Sequence, residues 1–274
     1  MTLRYLRYAD VADAASGAAR PGARILGGGT LLVRDINMGD VSFDTLIRIE
    51  DPATTAIDNV PGGAISLGGG VTMARVVSEP ALAWLAPAAL SVGGPAVRAM
   101  ATVAGNLHAP APYGDFATAL LALDAKVVLH DETALIDLPI QDFLAHRRAL
   151  HARHPIRAVR FHAPPGHSFR FRKVSRTRVK GLAVMTLAIV LPTDADGLIR
   201  GARIACGALA ETPVRIVGAE AALEGRSLTP DSIEAAIAAS VGEINPVDDA
   251  IASAWYRRAV FPVHLRRMLA GDAA

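Results

Sequence analysis

The sequence predicts an α+β fold in three parts. Two small α/β subdomains, residues 1–60 and 61–165, precede a C-terminal three-stranded antiparallel sheet with a helical bundle, residues 166–274. Three observations carry this prediction. Short strand and helix signals alternate through the first half, twice meeting a glycine triplet, at 27–29 and at 68–70. Pro164-Pro165-Gly166 then stops either kind of element from continuing and marks the main boundary. After it, three strand signals follow one another with no helix between them, which favours an antiparallel sheet.

Residues 3 to 8 open extended, and Asp10 is placed to cap a helix from Val11 to about Arg20. Strands are predicted at 23–26 and 45–49, separated by the first glycine triplet and a polar stretch. Another strand at 64–67 meets the second triplet, and Thr72 is placed to cap a helix over 73–77. Pro80 and Pro87 flank a further helical piece. Gly93 to Asp115, rich in glycine and proline, reads as a loop shaped for close approach by another molecule. Asp115 then caps the helix that begins at Phe116. Strands follow at 126–130 and 156–162, with a strand, turn and short helix between them. Residues 147–155 read as a basic, histidine-rich surface connection. In the last part, strands lie at 169–175, 181–191 and 198–209, and helices at 217–223, 230–241 and 253–269. Thr229 caps the second of these helices, with Pro230 as its first residue.

Composition removes several classes of function. The 274 residues are 51% hydrophobic but only 5% aromatic, the balance of a compact α/β protein rather than a disordered one. A net charge of +2 and no dense Lys/Arg stripe argue against a nucleic-acid partner. Cys206 stands alone, so this chain holds neither an internal disulfide nor a cysteine-ligated cluster by itself, and a reducing compartment, the cytoplasm, is expected. The N-terminus lacks the apolar core of a secretory signal. The longest apolar run, Leu182 to Leu191, is too short to span a bilayer and reads as a buried strand.

Two stretches carry the chemistry. In LGGGTLL, residues 26–32, three glycines in succession let backbone amides point at a bound anion, and Thr30 adds a hydroxyl. No Gly-Lys-Ser/Thr follows, so this is not a Walker loop, and Asp35, Asn37 and Gly39 cut short any long helix. A plain tight turn remains the alternative. In the second stretch, Thr102 and Asn106 supply uncharged hydrogen-bonding groups, while Asp115 is either a ligand contact or only a helix cap. His151 and His154 have a metal-like spacing but read as a solvated basic surface. Cys206 reads as a small buried hydrophobe. The basic cluster from Arg170 to Lys180 is either a docking face or the outward side of a strand.

GGTLLV together with VRAMATVAGNLHAPAPYGDFATALLALDAKV resembles the FAD-binding (medium) subunit of the molybdenum hydroxylases, the flavoproteins of the carbon monoxide dehydrogenase and xanthine dehydrogenase type. ARIACGALAETPVRI and SAWYRRAVFPVHLRRML resemble a strand and the last helix of that family's C-terminal domain, so the resemblance covers the whole chain. It implies a two-subdomain FAD-binding fold of the PCMH/vanillyl-alcohol-oxidase type. Ile25, Leu26, Gly27, Gly28, Gly29, Thr30 and Leu31 match the first flavin loop. Ala101, Thr102, Gly105, Asn106 and His108 match the second. Asp115 matches an acidic residue of the family, and Lys173 a lysine that reaches the flavin from the C-terminal domain. Three positions depart from the pattern: Ala104 for glycine, Met100 for asparagine, and Lys180 for an acidic residue.

The resemblance further implies a non-covalent FAD, since the first loop offers no side chain for attachment. No catalytic side chain and no metal ligand are then required in this chain. Partners would be a large molybdopterin-binding subunit and a small subunit with [2Fe–2S] clusters, as a dimer of heterotrimers. The chain would take electrons from those clusters and pass them to NAD, a quinone or O₂. The competing readings are a stand-alone flavoprotein oxidase or reductase of the same fold, and a flavin-free assembly subunit.

Overall fold

The computed structural model describes residues 3–40, 42–131, 133–148, 153–177 and 181–271. The chain divides into two compact units. One comprises residues 1–83, 92–109 and 124–162; the other comprises 84–91, 110–123 and 163–274.

The first unit holds two sheets. Strands β1 (Arg4–Tyr8), β2 (Ala23–Ile25) and β3 (Thr45–Ile49) form a parallel sheet in the order β1-β3-β2. Helix α1 (Val11–Ala18) makes the crossover, with Asp10 accepting from the Asp13 amide at 2.8 Å. Ala14, Ala18, Ala23 and Ile47 pack into a small core beneath it. Helix α2 (Leu32–Asn37) is a turn and a half long. Strands β4 (Ile57–Val60), β5 (Ala64–Gly68), β6 (Lys126–His130), β7 (Leu135–Pro139) and β8 (Ile156–His162) form an antiparallel sheet in the order β4-β5-β8-β6-β7. Strand β4 precedes residue 61, so the chain enters the second sheet at Ile57. Its sequence, Ile-Asp-Asn-Val, carries too little apolar alternation to have been read as a strand.

Helices α3 (Met73–Ser78), α4 (Ala86–Leu90), α5 (Pro95–Met100), α6 (Val103–His108), α7 (Asp115–Ala122) and α8 (Ile140–His146) follow in chain order. Gly93 to His108, read from sequence as a loop, contains α5 and α6. Pro95 opens the first, and the Thr102 hydroxyl caps the second by accepting from the Gly105 amide at 3.1 Å. Short capped helices of this kind carry no usable periodicity. The stretch read as a surface connection begins with a buried side chain: Arg147 is 2% exposed and donates to the Leu107 carbonyl at 2.9 Å.

The second unit is built on an antiparallel sheet, β9 (Phe169–Ser175), β10 (Ala183–Val190), β11 (Arg203–Gly207) and β12 (Val214–Arg215), in the order β12-β11-β10-β9. The three expected strands are joined by the two-residue β12, too short to leave a sequence signal. Every residue of β10 is buried, because helices cover both faces of this sheet. Helix α7 lies against β10 and β11, and its eight residues are all buried. Helices α9 (Val217–Leu223), α10 (Pro230–Ser240) and α11 (Ala254–Ala270) supply Leu223, Ile233, Ile237, Phe261, Leu265 and Leu269 to the main core. Arg257 is buried and saturated by the carbonyls of Val184, Val247 and Ala252 and by Asp249 at 2.8 Å, so it ties α11 to β10. Cys206 is buried and its thiol pushed up by desolvation, as befits a packing residue.

Candidate functional site

The first unit brings the two glycine-rich segments together. The parallel register ends with Ile25 beside Ile47, and the Leu26 amide still donates to the Ile47 carbonyl at 2.8 Å. The chain then leaves the sheet. Among the described residues, no backbone amide from Gly27 to Leu31 donates to another protein group, and the segment is only half buried. Five successive donors left open at the carboxyl end of a parallel strand form a cradle that suits an anion. Gly29 takes a left-handed φ of 72°, which turns the chain into α2.

The glycines also let the loop touch the second segment. A Cβ added at Gly28 would overlap the Met100 carbonyl, and one added at Gly27 would lie 2.8 Å from the Thr102 hydroxyl. Because the Met100 contact is made by backbone, the departure from asparagine there leaves it intact. Ala104 is accommodated for a related reason: its amide donates to the Gly69 carbonyl at 2.8 Å, and glycine at 69 leaves room for the extra methyl.

The second glycine triplet is different in kind. The amides of Gly68, Gly69 and Gly70 donate to the carbonyls of Ala56, Arg157 and Thr54, at 2.9, 2.9 and 2.7 Å. That triplet is a structural turn with nothing left to offer a ligand.

Of the residues expected from sequence, Ile25 to Leu31, Ala101, Thr102, Gly105, Asn106 and His108 all belong to this unit. Ala101, Thr102 and Asn106 are buried, Gly105 is exposed, and His108 is half buried. His108 meets Phe143 of α8 edge-on, with ring centroids 5.3 Å apart. Together with Arg147 on the Leu107 carbonyl, this contact braces α6 from behind. Arg48 and Arg147 were not foreseen. Arg48 donates to the Gly27 carbonyl at 2.9 Å from the next-to-last position of a mostly apolar strand signal. Its single departure from that apolar pattern was the available clue.

Asp115 and Lys173 belong to the other unit and pair with each other. The Lys173 ammonium lies 2.6 Å from Asp115 Oδ2 and donates to the Ser91 carbonyl at 3.0 Å. Asp115 is not the cap of α7. Gly114, at a left-handed φ of 89°, holds that position without a side-chain hydrogen bond, and Asp115 is the first helical residue. The carboxyl turns instead to the lysine. Burial pushes its pKa up, and the Lys173 charge opposes that shift. Lys180 and His151 lie outside the described residues. No group of three metal-ligating side chains occurs among the described residues, and no helix among them is long and apolar enough to cross a membrane.

Residues 1–163 match the family of FAD binding domains in molybdopterin dehydrogenase, and residues 170–271 match the CO dehydrogenase flavoprotein C-terminal domain. A putative xanthine dehydrogenase FAD-binding subunit of Escherichia coli (strain K12) is 27% identical over 273 residues, covering 95% of this chain and 91% of the relative. The nicotinate dehydrogenase FAD-subunit of Eubacterium barkeri is 28% identical over 223 residues, covering 78% and 75%. In fold, the chain is similar to a carbon monoxide dehydrogenase chain from Hydrogenophaga pseudoflava, with a TM-score of 0.90 at 24% identity over 97% of this chain and 96% of that one. The chain therefore belongs to the family of FAD-binding medium subunits of the molybdenum hydroxylases, components of oxidoreductase complexes.

Proposed function

We propose that this chain is the electron-transfer subunit of a molybdenum hydroxylase complex. It receives electrons from the [2Fe–2S] clusters of a small subunit and passes them to an external acceptor, NAD, a quinone or O₂. A large molybdopterin-binding subunit carries out the hydroxylation, and the assembly is a dimer of heterotrimers in the cytoplasm. The observation that carries this reading is the run of five open amides from Gly27 to Leu31 in a chain of this family.

The donor set fits FAD. In this reading the Gly27–Leu31 amides and the Thr30 hydroxyl hold the diphosphate, while Thr102, Gly105 and Asn106 line the cofactor from the adjoining segment and His108, turned to Phe143, supports them from behind. When bound, FAD supplies chemistry that links one-electron carriers to two-electron acceptors. The protein's part is to bind and orient it. Gly28 lets the two segments close on each other, Thr102 fixes the start of α6, and α8 holds that helix in place from behind. Lys173 enters as half of an ion pair with Asp115 rather than as a lone cation.

Purification of the chain from its native source tests the reading. Expected is a yellow complex in which this chain co-elutes with a molybdenum-containing and an iron–sulfur subunit, and in which the hydroxylation substrate bleaches the flavin absorption. A yellow chain that turns over alone, without those subunits, would establish a stand-alone flavoprotein instead. A colourless chain that does not take up FAD would establish a flavin-free assembly subunit.

A further inference from the structure

The three strands of the parallel sheet run the same way, so their carboxyl ends lie together, where ligands of open α/β sheets bind. The open loop Gly27–Leu31 leaves from the end of β2, and Arg48 is the next-to-last residue of the central strand β3. The register that pairs Ile25 with Ile47 sets Arg48 level with the start of the loop, and its Nη1 reaches the Gly27 carbonyl at 2.9 Å.

Among the described residues, no carboxylate pairs with Arg48. It is nevertheless half buried. Its neighbour across the β1–β3 register, Arg7, is differently placed. Arg7 takes Glu50, at 2.8 Å. A partly desolvated guanidinium without a carboxylate costs stability, and it stands beside five unsatisfied amides. A guanidinium has five N–H donors in a fixed fork that matches phosphate oxygens. One of them is committed to Gly27.

We infer that Arg48 is a further FAD-binding residue: it fixes the glycine loop through the Gly27 carbonyl and offers its remaining donors to the diphosphate held by the loop. The inference rests on the FAD reading above and adds to it a charged contact from outside both glycine-rich segments.

Titration of the apo-protein with FAD at several salt concentrations tests it, using the wild type, Arg48→Met and Arg48→Lys. The Met variant is expected to bind FAD about 10- to 100-fold more weakly, the loss of one hydrogen bond to a charged group. Its affinity should depend less on salt than that of the wild type, because one screened attraction is gone. The Lys variant should keep the salt dependence and part of the affinity, and it serves alone should the Met variant fail to fold. Unchanged affinity in the Met variant overturns the inference. So does a Met variant that binds weakly with wild-type salt dependence, which would make Arg48 a shaper of the loop only. A wild type that binds no FAD at all overturns the FAD reading itself, and this inference with it.

Discussion

Lys173 and Asp115 form a close ion pair, 2.6 Å long, with the two side chains only 16% and 7% exposed. Such a pair adds little over a well-packed apolar one, but removing one partner strands a buried charge. Lys173→Ala is therefore expected to destabilise the protein by about 3–5 kcal/mol. The loss has a pH signature. Asp115 already titrates above its ordinary value through burial, and without the lysine it rises further. A group whose pKa is raised on folding favours the fold below its unfolded value, roughly 3.9 for Asp, and that contribution fades as pH climbs through the folded value. The penalty of Lys173→Ala should therefore be larger near pH 8 than near pH 5, as read from urea unfolding midpoints. Equal penalties at the two pH values would mean that Asp115 does not carry the effect. The resemblance pointed to both residues, yet nothing in the sequence showed that they pair. Asp115 precedes an apolar helix and looks like a cap, and only the fold brings Lys173 of β9 to it.

At the scale of elements, legibility followed length and periodicity. Strands β3, β6, β8 and β9 and helix α9 lie where alternation, apolar runs or flanking breakers put them. Strands β4 and β12 were missed because one is half polar and the other two residues long. Helices α5 and α6 were missed because each is six residues long and depends on a proline or a threonine cap rather than on a repeat. Of the two glycine triplets, the sequence reading gave a ligand role only to the one at 27–29, with a plain tight turn as its alternative; which amides are open and which saturated depends on the carbonyls the fold brings within reach. Helix α7 raises a different point. It is encoded before residue 163, within the match to the FAD binding domain, but it packs with β10 and β11. A chain ending at residue 163 would leave Phe116, Leu120 and Leu121, each at most 1% exposed in the intact protein, without cover. Burial of each such side chain is worth about 1.5–3 kcal/mol. This fragment is expected to bind a hydrophobic dye and to aggregate, despite matching a whole domain. A monomeric fragment with cooperative unfolding would refute the assignment of α7 to the second unit.

For the whole molecule, the chain passes repeatedly between its units, and segments 84–91 and 110–123 fold with the C-terminal sheet. The glycine-rich stretch from Gly93 to Asp115 is divided by this arrangement: its first part faces the open loop of the first unit, and its last residue is paired in the second. Under the proposed function, the amides from Gly27 to Leu31 are held open for FAD, whereas those of Gly68 to Gly70 are spent on the fold. Amide hydrogen exchange, mapped over the whole chain with and without FAD, tests this most directly, because it reads the same donors that the claim concerns. The Gly27–Leu31 segment is expected to exchange rapidly in the apo-protein and to be strongly protected when FAD is added, with Gly68–Gly70 protected in both states. Exchange at Gly27–Leu31 that is unaffected by bound FAD would contradict it.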